Sequence, residues 1–244
     1  MSKAVEPFRF RQFVVAHDRC AMRVNTDAVL LGAWCPLPDE APEPRILDIG
    51  TGSGVIALML AQRCPAARIT AIDIDEPSAV QAADNFRQSP WPDRLTAQHI
   101  SIQELASRNL RSPRKPRQPR FDLILSNPPY FRNALRNPDP RRSDARHTDT
   151  LSFDELCRCS AELLADDGTL ALVLPADAEA DILATAARYG LHPTHLTRFY
   201  TDASLPPKRI LLTLKYQLST INYQLSSLLL GSPEYHALCE DFYL

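Results

Sequence analysis

The sequence predicts an α/β fold, a mostly parallel sheet with helices on both faces. Three observations carry this. The run 121–126, FDLILS, is short and nearly all apolar, as a strand covered on both faces should be, and Asn127-Pro128-Pro129-Tyr130 follows it at once. Two consecutive prolines lack the N–H that a sheet ladder needs, so the chain has to leave the sheet at Asn127. The run 45–49, RILDI, leads through Gly50-Thr51-Gly52-Ser53-Gly54 into an apolar helix at 55–63. A second strand at 68–72 then ends in Asp73-Ile74-Asp75, about twenty residues after the glycines. Strands that alternate with helices in this way pair in parallel.

Taken in order, residues 8–15 alternate apolar and polar side chains at first, which predicts an extended arm or hairpin. Asn25-Thr26-Asp27 is a cap signal for an apolar helix over 28–34. A connector rich in proline and acid at 36–44 closes this preamble, and the central fold begins at Arg45. Asp75 is placed to cap a helix over 77–87. Residues 95–102 read as the next strand, with Ser101 and Ile102 at its end. Ser152 with Glu155 forms a capping box for a helix running to 164, and Asp166-Asp167-Gly168 is a turn into a strand over 169–174. A helix follows Pro175 and stops at Gly190, and strands at 192–200 and 209–216 close the sheet. The four residues YQLS at 216–219 recur at 223–226, a local duplication, and Ser232-Pro233-Glu234 starts a short terminal helix. Three units result: an N-terminal arm and helix at 1–44, a central domain at 45–216, and a tail at 217–244.

Composition sets bounds on the setting. With 45% hydrophobic and 23% charged residues in 244, the chain is an ordinary globular protein. It shows no signal-peptide core and no membrane-spanning stretch, so a cytoplasmic location is expected. The six cysteines are scattered without CxxC pairs and are expected to be reduced thiols; no metal is expected. The net charge of −2 hides an asymmetry, for residues 108–146 carry eleven Lys/Arg against three Asp. Arg132, Arg136, Arg141, Arg142 and Arg146 follow Tyr130 and point to a polyanionic partner.

The candidate site lies where the strands deliver their last residues, since ligands of open α/β sheets sit beyond the carboxyl ends of the strands. The glycine loop lets the backbone approach a ligand closely, and the following helix N-terminus offers unpaired N–H groups. Its spacing, G-x-G-x-G, is one residue short of the dinucleotide fingerprint. Asp73 can accept hydrogen bonds from both ribose hydroxyls while Ile74 covers an adenine face, so loop and acid together suit an adenosine cofactor. Asn127 and the backbone carbonyl beside the prolines can accept hydrogen bonds from the two hydrogens of a planar amino group. That favours a pyramidal nitrogen whose lone pair faces an electrophile. Tyr130 supplies a ring on which a flipped-out base can stack.

These residues resemble the class I S-adenosylmethionine-dependent methyltransferases of the amino-methylating type. More narrowly, FRQF at 10–13, HDRCAMRV at 17–24, TDAVLLGAW at 26–34, SPW at 89–91, ARHT at 145–148 and DFYL at 241–244 are similar to the bacterial tRNA(Val) adenine-N6 methyltransferases. The resemblance implies a Rossmann-like, seven-stranded sheet with one antiparallel strand near its edge. It implies a cofactor site made of Asp27, Asp48, Gly50, Thr51, Gly52, Gly54, Asp73, Ile74, Ser101, Ile102 and Asn127. The arm through Asp27 would fold over cofactor and substrate, and Asn127, Pro128, Pro129 and Tyr130 would hold the target adenine. The partner would be tRNA, met by a monomer. Glutamine-amide and rRNA guanine-amino methyltransferases share NPPY, and a non-catalytic RNA-binding module stays open beside them.

Overall fold

The structure is a computed structural model and describes residues 5–38, 41–110, 120–128, 151–216 and 223–243. Strands β1 (Phe8–Arg9) and β2 (Val14–Val15) form the expected hairpin, and Asn25 caps α1 (Thr26–Trp34) by accepting the N–H of Ala28. The main sheet follows in alternation. β3 (Arg45–Ile49), α2 (Val55–Arg63), β4 (Arg68–Asp73), α3 (Glu76–Gln88), β5 (Leu95–His99), α4 (Ile102–Leu110) and β6 (Phe121–Ser126) make its first half. α5 (Phe153–Leu163), β7 (Leu164–Pro175), α6 (Glu179–Arg188), β8 (Leu191–Tyr200), β9 (Arg209–Tyr216), β10 (Gln224–Leu229) and α7 (Pro233–Cys239) make its second.

Strand order is β10-β8-β9-β7-β6-β3-β4-β5. β9 alone runs antiparallel to its neighbours, β7 and β8, and every other pairing in this sheet is parallel. The chain builds outward from β3 through β4 to β5, then returns to place β6 on the other side of β3. The gap between the carboxyl ends of β3 and β6 is therefore the point where strand order reverses, the place a ligand occupies in such sheets.

Both faces are covered, which explains the continuous apolar runs. Within β7, Ala171 and Val173 join the core under the hairpin, α1, α2, α3 and α7, while Leu170, Leu172 and Leu174 join the core under α4, α5 and α6. Leu123 and Leu125 of β6 face the first core and Ile124 the second, the period-two alternation of a strand.

Three boundaries differ from expectation. The strand expected over 95–102 ends at His99, because Ser101 Oγ accepts the N–H of Glu104 and caps α4. The turn at 166–168 is absorbed into β7, where the pairing with β6 shifts register between Phe121 and Leu123. The sheet has eight strands rather than seven, since the second YQLS copy opens β10, which pairs in parallel with β8. Ser226 in β10 lies 2.8 Å from His195 Nε2 and 2.7 Å from Thr197 Oγ1, so side chains as well as backbone hold this edge. α7 follows, and its Tyr235 and Cys239 enter the first core with Phe242.

Candidate active site

A cavity of about 230 Å³ opens beyond the carboxyl ends of β3, β4, β5 and β6. Ile49, Gly50 and Gly52 line it from β3 and its loop; Ile72, Asp73, Ile74, Asp75 and Ser78 from β4 and α3; Ile100, Ser101, Ile102 and Gln103 from the β5–α4 turn; and Ser126, Asn127 and Pro128 from β6. Ala21, Met22 and Leu151 complete the wall.

The loop is folded onto β4. Gly50 and Thr51 both donate N–H to the Ile72 carbonyl, at 2.9 and 3.0 Å. Gly52 N–H donates to Asp73 Oδ2 at 2.8 Å, and Asp75 N–H donates to Oδ1 of the same carboxylate at 2.9 Å. Burial pushes the Asp73 pKa up, and the bonds from Asp75 and Gly52 pull against that rise. Gly50 and Gly52 hold φ of +68° and +54°, and the space where a Cβ would stand is open at both. Behind the loop the fully buried Asp48 accepts from Thr51 Oγ1 at 2.6 Å, while its Oδ1 has no hydrogen-bond partner among the described residues. Burial raises its pKa to about 7.

Across the switch point, Ser126 Oγ donates to the Ile49 carbonyl at 3.0 Å, tying the end of β6 to the end of β3. Asn127 comes next and is 8% exposed, so its amide is nearly enclosed yet still borders the cavity.

The N-terminal arm is clamped to α3. Asn85 Nδ2 donates to the carbonyls of Ala16 and Ser53, both at 2.8 Å, and its Oδ1 accepts the Ala16 N–H at 3.1 Å. Arg19 reaches Gln81 and Asp84 on the same helix. This clamp delivers Ala21 and Met22 to the cavity wall.

A family model described as "Methyltransferase small domain" matches residues 36–185. A tRNA1(Val) (adenine(37)-N6)-methyltransferase of Phocaeicola vulgatus is 45% identical over 97% of both chains. One from Parabacteroides distasonis is 41% identical over 97% of both. The chain belongs to this methyltransferase family. Among solved structures, a predicted O-methyltransferase from Agrobacterium tumefaciens superposes with a TM-score of 0.66 at 19% identity, covering 88% of this chain and 96% of that one. TrmN from Thermus thermophilus gives 0.53 at 23%, covering 82% and 52%. Both show the same fold.

The methyl donor of this methyltransferase is S-adenosylmethionine, and the residues present fit it. Asp73 offers carboxylate oxygens at a strand end, Gly50 and Gly52 leave open space along the loop, and Ile72, Ile74, Ile100 and Ile102 supply apolar walls. When bound, the donor supplies an electrophilic methyl on a sulfonium.

Of the residues expected to hold it, Gly50, Gly52, Asp73, Ile74, Ser101, Ile102 and Asn127 are brought together in the cavity wall. Asp48, Thr51 and Gly54 stand behind it and shape the loop. Asp27 is not in the wall, and its carboxylate pairs with Arg209 Nε at 2.8 Å. Pro129, Tyr130, Arg132, Arg136, Arg141, Arg142 and Arg146 lie outside the described residues. Met22, Gln103 and Leu151 were not singled out as site residues by sequence reasoning. Met22 lies within the HDRCAMRV stretch, whereas Gln103 carried no signal because its strand was expected to end later. Among the described residues no three His, Cys, Asp or Glu gather as a metal site, and no helix is long and apolar enough to cross a membrane.

Proposed function

We propose that this methyltransferase transfers the methyl group of S-adenosylmethionine to the exocyclic N6 of the adenine 3′ of the anticodon of tRNA(Val). The observation that carries this reading is that Asn127 and Pro128 border the same cavity as the glycine loop and Asp73. A target amino group held at the end of β6 then lies beside a donor held at the ends of β3 and β4. Asn127 Oδ1 and the Pro128 carbonyl accept the two amino hydrogens, which localises the lone pair for in-line attack. Tyr130 serves as the stacking platform for the flipped base.

The substrate class rests on two further supports. The curated relatives named above are tRNA1(Val) (adenine(37)-N6)-methyltransferases over nearly the whole chain. Of the eleven cations at 108–146, Arg108 and Arg120 pair with Glu104 and Asp166, while the other nine lie outside the described residues and flank the site in sequence. They are assigned to the RNA backbone, which makes binding fall steeply with salt.

The test is nucleoside mass spectrometry on tRNA lacking the modification, incubated with S-adenosylmethionine and wild-type or Asn127→Ala protein. N6-methyladenosine appears with wild type and falls by about 10²–10³ in initial rate with the variant. Methylation of rRNA guanine or of a release-factor glutamine, with tRNA unmodified, sinks the substrate assignment.

A further inference from the structure

β10 is the last strand of the sheet, and among the described residues no strand pairs with its outer side. Its backbone groups divide between the two sides in a fixed way. The Leu230 N–H donates to the Tyr200 carbonyl at 2.9 Å, so the even-numbered residues of β10 face β8 across the parallel ladder. The N–H and C=O of Leu225, Ser227 and Leu229 therefore point to the open edge. Leu228 is buried in the first core, and alternation places the side chains of Leu225, Ser227 and Leu229 on the opposite face. Leu225 is 57% exposed there. The stretch YQLSSLLLG at 223–231 contains no charge and no proline, the devices that keep sheet edges from joining. At the other edge of the sheet, β5 is preceded by Pro92-Asp93-Arg94.

We infer that β10 pairs antiparallel with β10 of a second copy of this chain, about a two-fold axis through Ser227. Ser227 is the middle one of the three outward-facing residues. A two-fold there sets Ser227 opposite Ser227, and Leu225 opposite Leu229 of the second copy. Each of these pairs is of the kind that exchanges both N–H···O bonds, and the facing side chains lie on the same side of the sheet. The exposed Leu225 is covered by a leucine across the join, and no like charges meet at the axis. Two eight-stranded sheets become one. β10 runs in the direction of β6, and the two-fold reverses it, so the two candidate sites open at opposite ends of the joined sheet. Contact along one strand and its flanks buries less than the about 1,600 Å² of a standard interface, so a Kd of about 1–100 µM is expected.

The test is sedimentation velocity on the full chain from about 1 to 200 µM, with Leu225→Lys and Ser227→Pro beside wild type and each checked for a cooperative melting transition. The Ser227 N–H takes no part in the ladder with β8, so proline there removes a donor from the open edge alone. Wild type is expected to pass from monomer to dimer across that range, and each variant to require at least about tenfold more protein. As wild type associates, the amides of Leu225, Ser227 and Leu229 should gain protection from hydrogen exchange. That readout decides the matter even where a variant fails to fold. A monomer at every concentration, as expected from the sequence, overturns the inference. So does a dimer that both folded variants retain, or one that forms without protecting those three amides.

Discussion

Thr51 Oγ1 donates to Asp48 Oδ2 across 2.6 Å behind the glycine loop, so the carboxyl at the end of β3 holds the turn without entering the cavity. Burial, partly opposed by this bond and reinforced by nearby Asp73, lifts the Asp48 pKa from 3.8 to about 7. A raised carboxyl pKa means the folded state binds the proton more tightly than the unfolded chain. The stabilisation is complete below about pH 4 and is lost as pH climbs through 7. Urea melts of the cofactor-free protein should show wild type losing stability over that window relative to Asp48→Asn. An equal pH slope in the two proteins contradicts the assignment.

Two glycines of the loop should separate stability from binding. At Gly54, φ is +81° and a Cβ would come within 2.5 Å of the Phe86 ring, so Gly54→Ala is expected to cost about 2–4 kcal/mol through strain and overpacking. At Gly52 nothing lies near the missing Cβ, and Gly52→Ala should cost only about 1–2 kcal/mol for its φ of +54°. That variant's main loss should be affinity for S-adenosylhomocysteine, at least about tenfold, because the methyl is added on a residue that lines the cavity. Thermal melts and calorimetry on both variants distinguish the two effects.

Asn85 is 3% exposed and serves both edges of the Ala16 peptide as well as the Ser53 carbonyl. Asn85→Ala leaves these groups short of partners and should destabilise the fold by about 2–3 kcal/mol. It should also free residues 16–24 from α3. Hydrogen exchange in that segment ought to rise far more than in β3 or β6; uniform change across the chain would mean the clamp is not local.

A chain ending at Tyr216 keeps every residue of the expected central domain yet should not fold stably. It loses β10 with the buried Leu228, and it loses Tyr235, Cys239 and Phe242 from the core shared with α1 and the hairpin. The Arg11 N–H also loses its partner, the Phe242 carbonyl. Insolubility or loss of a cooperative melt is expected, whereas a normal melt would show that the tail is dispensable.

The candidate site was legible to the extent that its residues are consecutive and chemically unusual. Glycines at 50, 52 and 54, an acid ending the next strand and Asn-Pro-Pro after an apolar run each announce a turn at a strand end by local rules of backbone geometry. The caps at Asn25, Asp75 and Ser152 were legible for the same reason, since a cap is a contact over three residues. Less legible was whatever depends on which element lies beside which. The uncharged segment QLSSLL becomes a sheet edge only because β8 presents a matching ladder and a His195–Thr197 pair for Ser226.

The amino-acid sequence by itself determined the α/β alternation, the glycine loop with Asp73, and the delivery of Asn127 and Pro128 at a strand end. Only the tertiary structure decided that Asp27 turns to Arg209, that Met22 is carried in by Asn85, and that Gln103 is oriented by Glu155. Each of those three depends on groups far apart in the chain. No local propensity encodes such a pairing, and only the packing of whole elements brings its members within hydrogen-bonding distance.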